Sequence, residues 1–176
     1  MKIGIVRHFK VVDDSRGRWM TSTDFNHWVE HYNQCSIQVP ESSVGLKWDI
    51  CYSSDQSRAV KSAEHLFIGS IIRTDLLREI EIQACINTNV RLHRSFWLIL
   101  GRIGWLLNHA SQENKRDTLH RAKRIMDEIE SNESRNILVV THGAFMTILK
   151  KELKRRGYKG EPFMKPENGR VYIYER

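Results

Sequence analysis

Lys2-Ile3-Gly4-Ile5-Val6, followed at once by Arg7-His8, is the stretch that decides the fold. A short β-branched apolar run reads as a buried central strand, and this one ends in two residues that a core would not choose. Arg7 and His8 are therefore expected at a strand's carboxyl end. In open α/β sheets ligands bind there, in the crevice where loops meet helix N-termini.

Two further strand ends carry matching chemistry. Asp49-Ile50-Cys51-Tyr52-Ser53 reads as a strand running into Ser54-Asp55, which can cap a helix that starts near Gln56 and carries Arg58 in its first turn. Asn136-Ile137-Leu138-Val139-Val140 reads as another, followed by Thr141-His142-Gly143 and a helix. Two guanidinium groups, two imidazoles and two helix N-termini would then converge, an arrangement suited to a phosphate.

The chain of 176 residues fits a single domain (1–176) with a core large enough to need no staples. Its 28 Lys+Arg against 21 Asp+Glu give a formal charge of +7, which favours anionic partners without choosing among them. Cys35, Cys51 and Cys85 show neither pairing nor metal-ligand spacing, so a disulfide framework is not expected and a reducing compartment is. The N-terminal apolar run is too short for a signal peptide, and the expected location is cytoplasmic.

Between these motifs, Asp24 to about Asn33 reads as a helix capped by Ser22 or Thr23, with Phe25, Trp28, Val29 and Tyr32 on its apolar face. Its polar face spells His27-x-x-Glu30-His31, a pattern also found in one class of zinc peptidase. So short a match arises easily by chance, and a solvated helix face is the preferred reading.

Gln38 to Lys47, with Pro40 and Gly45, reads as a loop. Arg73 to Ile82 fits a short edge strand or an extended loop, with Glu79 and Glu81 on one face and Ile80 and Ile82 on the other. Arg91 to Asn108 is apolar but interrupted by Arg102 and two glycines, so a buried helix is expected rather than a membrane span. Leu119, Ala122, Ile125, Met126 and Ile129 mark the amphipathic crossover back to the sheet.

After His142 a helix buries Phe145, Ile148, Leu149 and Leu153 and exposes Lys150, Lys151, Lys154, Arg155 and Arg156. Such a basic run also occurs in nucleic-acid-binding modules, but no aromatic platform accompanies it, so a solvated face is preferred and no nucleic acid or membrane partner is expected. Val171-Tyr172-Ile173-Tyr174 reads as the last strand.

Taken together, Ile5-Val6-Arg7-His8, Tyr52-Ser53-Ser54-Asp55-Gln56-Ser57-Arg58-Ala59 with Ala63-Glu64, Leu77-Arg78-Glu79-Ile80, and Val139-Val140-Thr141-His142-Gly143 resemble the histidine phosphatase (phosphoglycerate mutase-like) superfamily in order and spacing. The resemblance implies a three-layer α/β/α sandwich with a mostly parallel central sheet. It implies that His8 forms a phosphohistidine, that Arg7, Arg58 and His142 hold the phosphoryl oxygens, and that Glu79 is the proton donor. Glu81 shares the predicted face and stays open as an alternative.

A neutral imidazole is nucleophilic near physiological pH and can split the displacement into two easier steps, with no metal or cofactor required. The expected function is hydrolysis of a phosphate monoester, on a small molecule or a phosphoprotein. The family also contains mutases and protein-phosphohistidine phosphatases, some of which do without the acidic residue. Outside it stand the zinc peptidase and the basic nucleic-acid-binding module.

The sequence departs from the family after its first motif, where Phe9-Lys10-Val11 replaces the usual glycine, acidic or amide residue and threonine. Phe9 is expected to tighten the mouth, and Ser15, Arg16 or Thr141 to replace the lost hydroxyl. Arg91, His93 and Arg94 are candidates for a second anionic contact.

Overall fold

The computed structural model describes residues 1–15, 17–40 and 47–176. In chain order the elements are β1 (Lys2–Arg7), β2 (Trp19–Met20), α1 (Ser22–Gln34), β3 (Ile50–Ser54), α2 (Ser57–Leu66), β4 (Ile71–Thr74) and a 3-10 turn at Asp75–Leu77. There follow β5 (Leu92–His93), α3 (Arg94–Leu106), α4 (Lys115–Glu130), β6 (Asn136–Thr141), α5 (Gly143–Arg155), β7 (Lys159–Gly160) and β8 (Val171–Glu175).

The central sheet is six-stranded, in the order β4-β3-β6-β1-β8-β7. β4, β3, β6 and β1 run parallel, whereas β8 runs antiparallel to both β1 and β7. Strand alternation sends Ile3, Ile5, Ile137 and Val139 to one face, where α4 and α5 supply Ile125, Met126, Ile129, Phe145 and Leu149. Val6, Cys51, Leu138 and Val140 go to the other, against Ala59 and Ala63 of α2. β1, β3 and β6 are thus buried on both sides, which is why their runs read as continuously apolar. On the α2 face Gly4 leaves room for Trp48, whose ring a Cβ would meet at 2.3 Å.

A smaller unit covers the carboxyl ends of the parallel strands: α1, α3 and the antiparallel pair β2-β5, packed around Met20, Phe25, Ile82 and Trp97. Phe25 stacks on Trp97 at 5.7 Å, and the Trp97 indole donates to the Met20 carbonyl at 2.9 Å. Gly104 lets α3 approach the preceding loop, since a Cβ there would lie 2.6 Å from Cys85 Sγ.

Several local expectations change. Thr21, not Ser22 or Thr23, caps α1, in a reciprocal capping box with Asp24. Asp55 caps nothing; Gln56 precedes α2 without a side-chain cap bond, and the Asp55 carboxylate takes a two-pronged salt bridge from Arg78.

The segment from Arg73 divides into strand, 3-10 turn and loop, because Leu76, Leu77 and Ile80 all turn inward. α3 buries one face only, and Ile99, Ile103 and Leu106 stay exposed. Gly45 lies outside the described residues.

The basic run on α5 is not simply solvated. Lys150 sits over the Phe163 ring at 4.3 Å, and Arg156 is largely buried among Asp127, Glu130 and Glu152. Among the described residues no helix is long and apolar enough to cross a membrane. The three cysteines are free.

Candidate active site

β1 delivers Arg7 and His8 to one end of a cleft of about 1210 Å³ between the sheet and the smaller unit. His8 is 3% exposed, and its Nδ1 lies 2.7 Å from the Phe9 carbonyl. A carbonyl only accepts, so Nδ1 carries the ring proton and Nε2 keeps its lone pair. Burial first, then the Arg58 charge, pushes the His8 pKa down to about 4, so the ring is neutral at physiological pH.

The turn after β1 is held by partners remote in sequence. Asn168 donates to the His8 carbonyl at 2.7 Å, the Gly169 amide to the Arg7 carbonyl at 2.8 Å, and the Phe9 amide to Ser62 Oγ at 2.9 Å.

Arg58 comes from the first turn of α2 and is 3% exposed. All three guanidinium nitrogens are oriented: Nε donates to His142 Nδ1 at 3.2 Å, Nη1 to Asn33 Oδ1 at 2.7 Å and Nη2 to Gln56 Oε1 at 3.0 Å. Arg7 is held less tightly, with Nη1 donating to the Pro166 carbonyl at 3.3 Å. Its Nε is buried without a hydrogen-bond partner. The Arg7 guanidinium lies against the start of α5, where Gly143 makes room; a Cβ would stand 3.1 Å from Nε.

His142 stands at the end of β6, its ring centroid 5.1 Å from that of His8. With Nδ1 accepting from Arg58, its proton sits on Nε2, which lies 2.9 Å from Ser54 Oγ. Burial, then Arg58, then His8 keep its pKa well below the usual histidine range. The ring is 0% exposed and lies behind Arg58 rather than on the cleft wall, so in the structure both nitrogens serve the protein.

Glu79 follows the 3-10 turn and lines the cleft. Its carboxylate accepts from the amides of Ala144 at 3.2 Å and Phe145 at 3.0 Å, at the N-terminus of α5. Arg102 of α3 reaches within 4.0 Å of it. Glu81 also lines the cleft but is exposed.

The structure thus brings together Arg7, His8, Arg58, Glu79 and His142, while other expectations fail. Phe9 does not narrow the mouth; it turns into the interior, edge-on to His65 at 5.5 Å and against Gly169. Neither Ser15 nor Thr141 replaces the lost hydroxyl: Ser15 bonds to Asp13, and Thr141 Oγ1 donates to the Leu77 carbonyl at 2.6 Å inside the core. Arg16 lies outside the described residues. Of the three basic candidates only Arg94 lines the cleft, and it is paired with Asp13; His93 caps α3 and Arg91 is exposed.

His27, Glu30 and His31 are exposed on α1 and form no group of their own able to hold a metal. Among the described residues one such group exists, Asp14, His31 and Cys35, whose ligand atoms lie within 4.8 Å of one another. None of the three lines the cleft. Asn33, Gln56, Ser54, Ser62 and Asn168 escaped the sequence reading. Gln56 and Ser54 flank a recognisable motif, but nothing local marks Asn33 or Asn168.

A family model, the histidine phosphatase superfamily (branch 1), matches residues 3–176. No curated protein sequence matches the chain. Among solved structures, the alpha-ribazole phosphatase of Shigella flexneri is similar with a TM-score of 0.61 at 15% identity, covering 98% of this chain and 89% of that one. YhfR of Bacillus stearothermophilus has a TM-score of 0.60 at 17% identity, with 98% and 89% covered. The mycobacterial glucosyl-3-phosphoglycerate phosphatase Rv2419c has a TM-score of 0.52 at 16% identity, with 88% and 79% covered. At such identities the likeness is one of fold. The family match over nearly the whole length and the shared architecture together mean that this chain belongs to the histidine phosphatase superfamily, branch 1.

Proposed function

We propose that the protein is a phosphatase that hydrolyses a phosphate monoester through a covalent phosphohistidine on His8. The observation that carries this reading is the His8 ring itself: neutral, with Nδ1 committed to the Phe9 carbonyl, and with Nε2 left as the basic nitrogen beside two guanidinium groups.

In the first step the Nε2 lone pair forms an N–P bond as the P–O bond to the alcohol breaks. The leaving oxygen takes a proton delivered through Glu79, which is better placed than Glu81 because it is half-buried at the helix terminus. Arg7 and Arg58, which both line the cleft, match the charge on the transferring oxygens. The Nδ1–H bond to Phe9 steadies the imidazolium that the new bond creates. In the second step water attacks phosphorus, gives its proton to the Glu79 carboxylate, and the N–P electron pair returns to Nε2. His142 serves by fixing the plane of Arg58, a positioning role in place of direct contact with the phosphoryl oxygens.

A panel of phosphate monoesters assayed with wild type and His8→Ala tests this reading. Phosphate release by the wild type is expected, with a base-stable, acid-labile phosphoenzyme when the reaction is quenched. Release undiminished in His8→Ala would overturn it. A mutase would return the phosphoryl group to an acceptor rather than release it, and a protein-phosphohistidine phosphatase would tolerate Glu79→Gln, because a departing imidazole needs a proton donor less than an alkoxide does.

A further inference from the structure

The cleft is far larger than a phosphoryl group needs, and its two ends differ in chemistry. One end is the corner formed by Arg7, His8 and Arg58. The other is walled by α3, which is apolar on two faces. Trp97, Gly101, Gly104 and Trp105 face the body of the protein, while Ile99, Ile103 and Leu106 recur at intervals of four and three and line the cleft. These three are 56%, 45% and 53% exposed, which is unusual for side chains on a concave wall. Ile80, Ile82 and Met164 line the same space.

Resting on the phosphatase reading, we propose that the substrate is a phosphate monoester whose alcohol is an extended, uncharged apolar body laid along α3. Continuity selects this occupant, since the apolar wall and the phosphate corner belong to a single cleft. A molecule anchored by its phosphate at His8 can lay the rest of itself along that wall without leaving the cleft. Charge does not pull the other way: Glu30 and Glu81 line the cleft together with Lys165 and Arg102, so its polar rim carries both signs and selects no second anionic group. Arg102 marks the border where the wall gives way to the polar corner, within 4.0 Å of Glu79.

The test uses n-alkylphosphonates from methyl to octyl, which bind without turning over, measured by calorimetry on the full chain. Affinity is expected to climb about two- to fourfold per methylene, the size of a methylene's transfer from water, until the wall is covered. The double variant Ile99→Gln and Ile103→Gln is expected to flatten that climb; both positions are exposed, and its thermal melt checks folding. Affinity independent of chain length overturns the inference, as does an unchanged climb in the folded variant. Sedimentation showing a wild-type dimer that the double variant dissolves would also overturn it, by assigning the stripe to a second copy. Turnover of the matching alkyl phosphates reads the other assignment. Length-dependent binding with no turnover of any phosphate ester would remove the phosphatase reading and leave the apolar subsite standing.

Discussion

The imidazoles of His8 and His142 face one another across 5.1 Å with their planes inclined by 57°, and neither can take up a proton cheaply. Burial and the adjoining Arg58 charge depress both, so a corner rich in donors contains two rings that stay neutral.

This pairing has a consequence for pH. With the folded value of His8 near 4 against 6.5 when unfolded, the unfolded chain binds the extra proton between those limits. The stability tied to His8 is therefore complete above about pH 6.5 and is lost as pH falls toward 4, at most about 3 kcal/mol for this group. Thermal melts are expected to fall across that window, and His8→Gln to fall less steeply. Formation of the phosphoenzyme, by contrast, should lose no nucleophile on going from pH 7 to 5, which rapid quench with p-nitrophenyl phosphate would show.

Arg58 is fixed by acceptors on three sides, a geometry that an ammonium group cannot copy. Arg58→Lys is expected to lower kcat/KM by about 10²–10³, as removal of a preorganised donor does. Asn33→Ala, which frees one edge of the same guanidinium, should cost about tenfold, mostly in kcat. Steady-state kinetics on the two variants check both.

Gly143→Ala separates function from stability. The added methyl improves the first turn of α5 by up to about 1 kcal/mol of helix propensity. It also presses within 3.1 Å of Arg7 Nε and 3.2 Å of Cζ, displacing that guanidinium by tenths of an ångström. The melting temperature is expected to hold or rise, while the inhibition constant for inorganic phosphate rises about tenfold.

Arg156 joins α4 to α5 through Asp127 and Glu130 at 2.6 Å each and Glu152 at 2.7 Å. Its side chain is 10% exposed, so its loss would strand partly buried carboxylates. Arg156→Ala should cost about 2 kcal/mol, or roughly 4–8 °C in Tm, without touching the cleft. Differential scanning calorimetry would read it.

What could be seen in advance was whatever a local pattern encodes. β1, β3 and β6 are buried on both faces, so their apolar runs announced them, and the residues just beyond each run had to lie at one edge of the sheet. The caps were harder, because Thr21, Ser22 and Thr23 are chemically alike and only the reciprocal bond with Asp24 selects the first. Phe9 misled because its direction depends on Ser62 and Gly169, which are remote in sequence. Asn33 and Asn168 were invisible for the same reason: an amide that orients a guanidinium or a carbonyl needs no neighbouring signature. The exposed stripe of α3 looked like core, since composition cannot distinguish a helix face covered by protein from one left to a cleft.

The position of β1 between β6 and β8 also bears on how the molecule comes into being. On the ribosome His8 emerges well before Asn168, the asparagine that clasps its carbonyl, which follows 160 residues later. At translation speeds of about 5–20 residues per second, that is a wait of roughly 8–30 s. Until β6 is made β1 has neither flank, and until β8 follows it has only one, so the nascent polypeptide carries His8 without the burial it has in the folded chain.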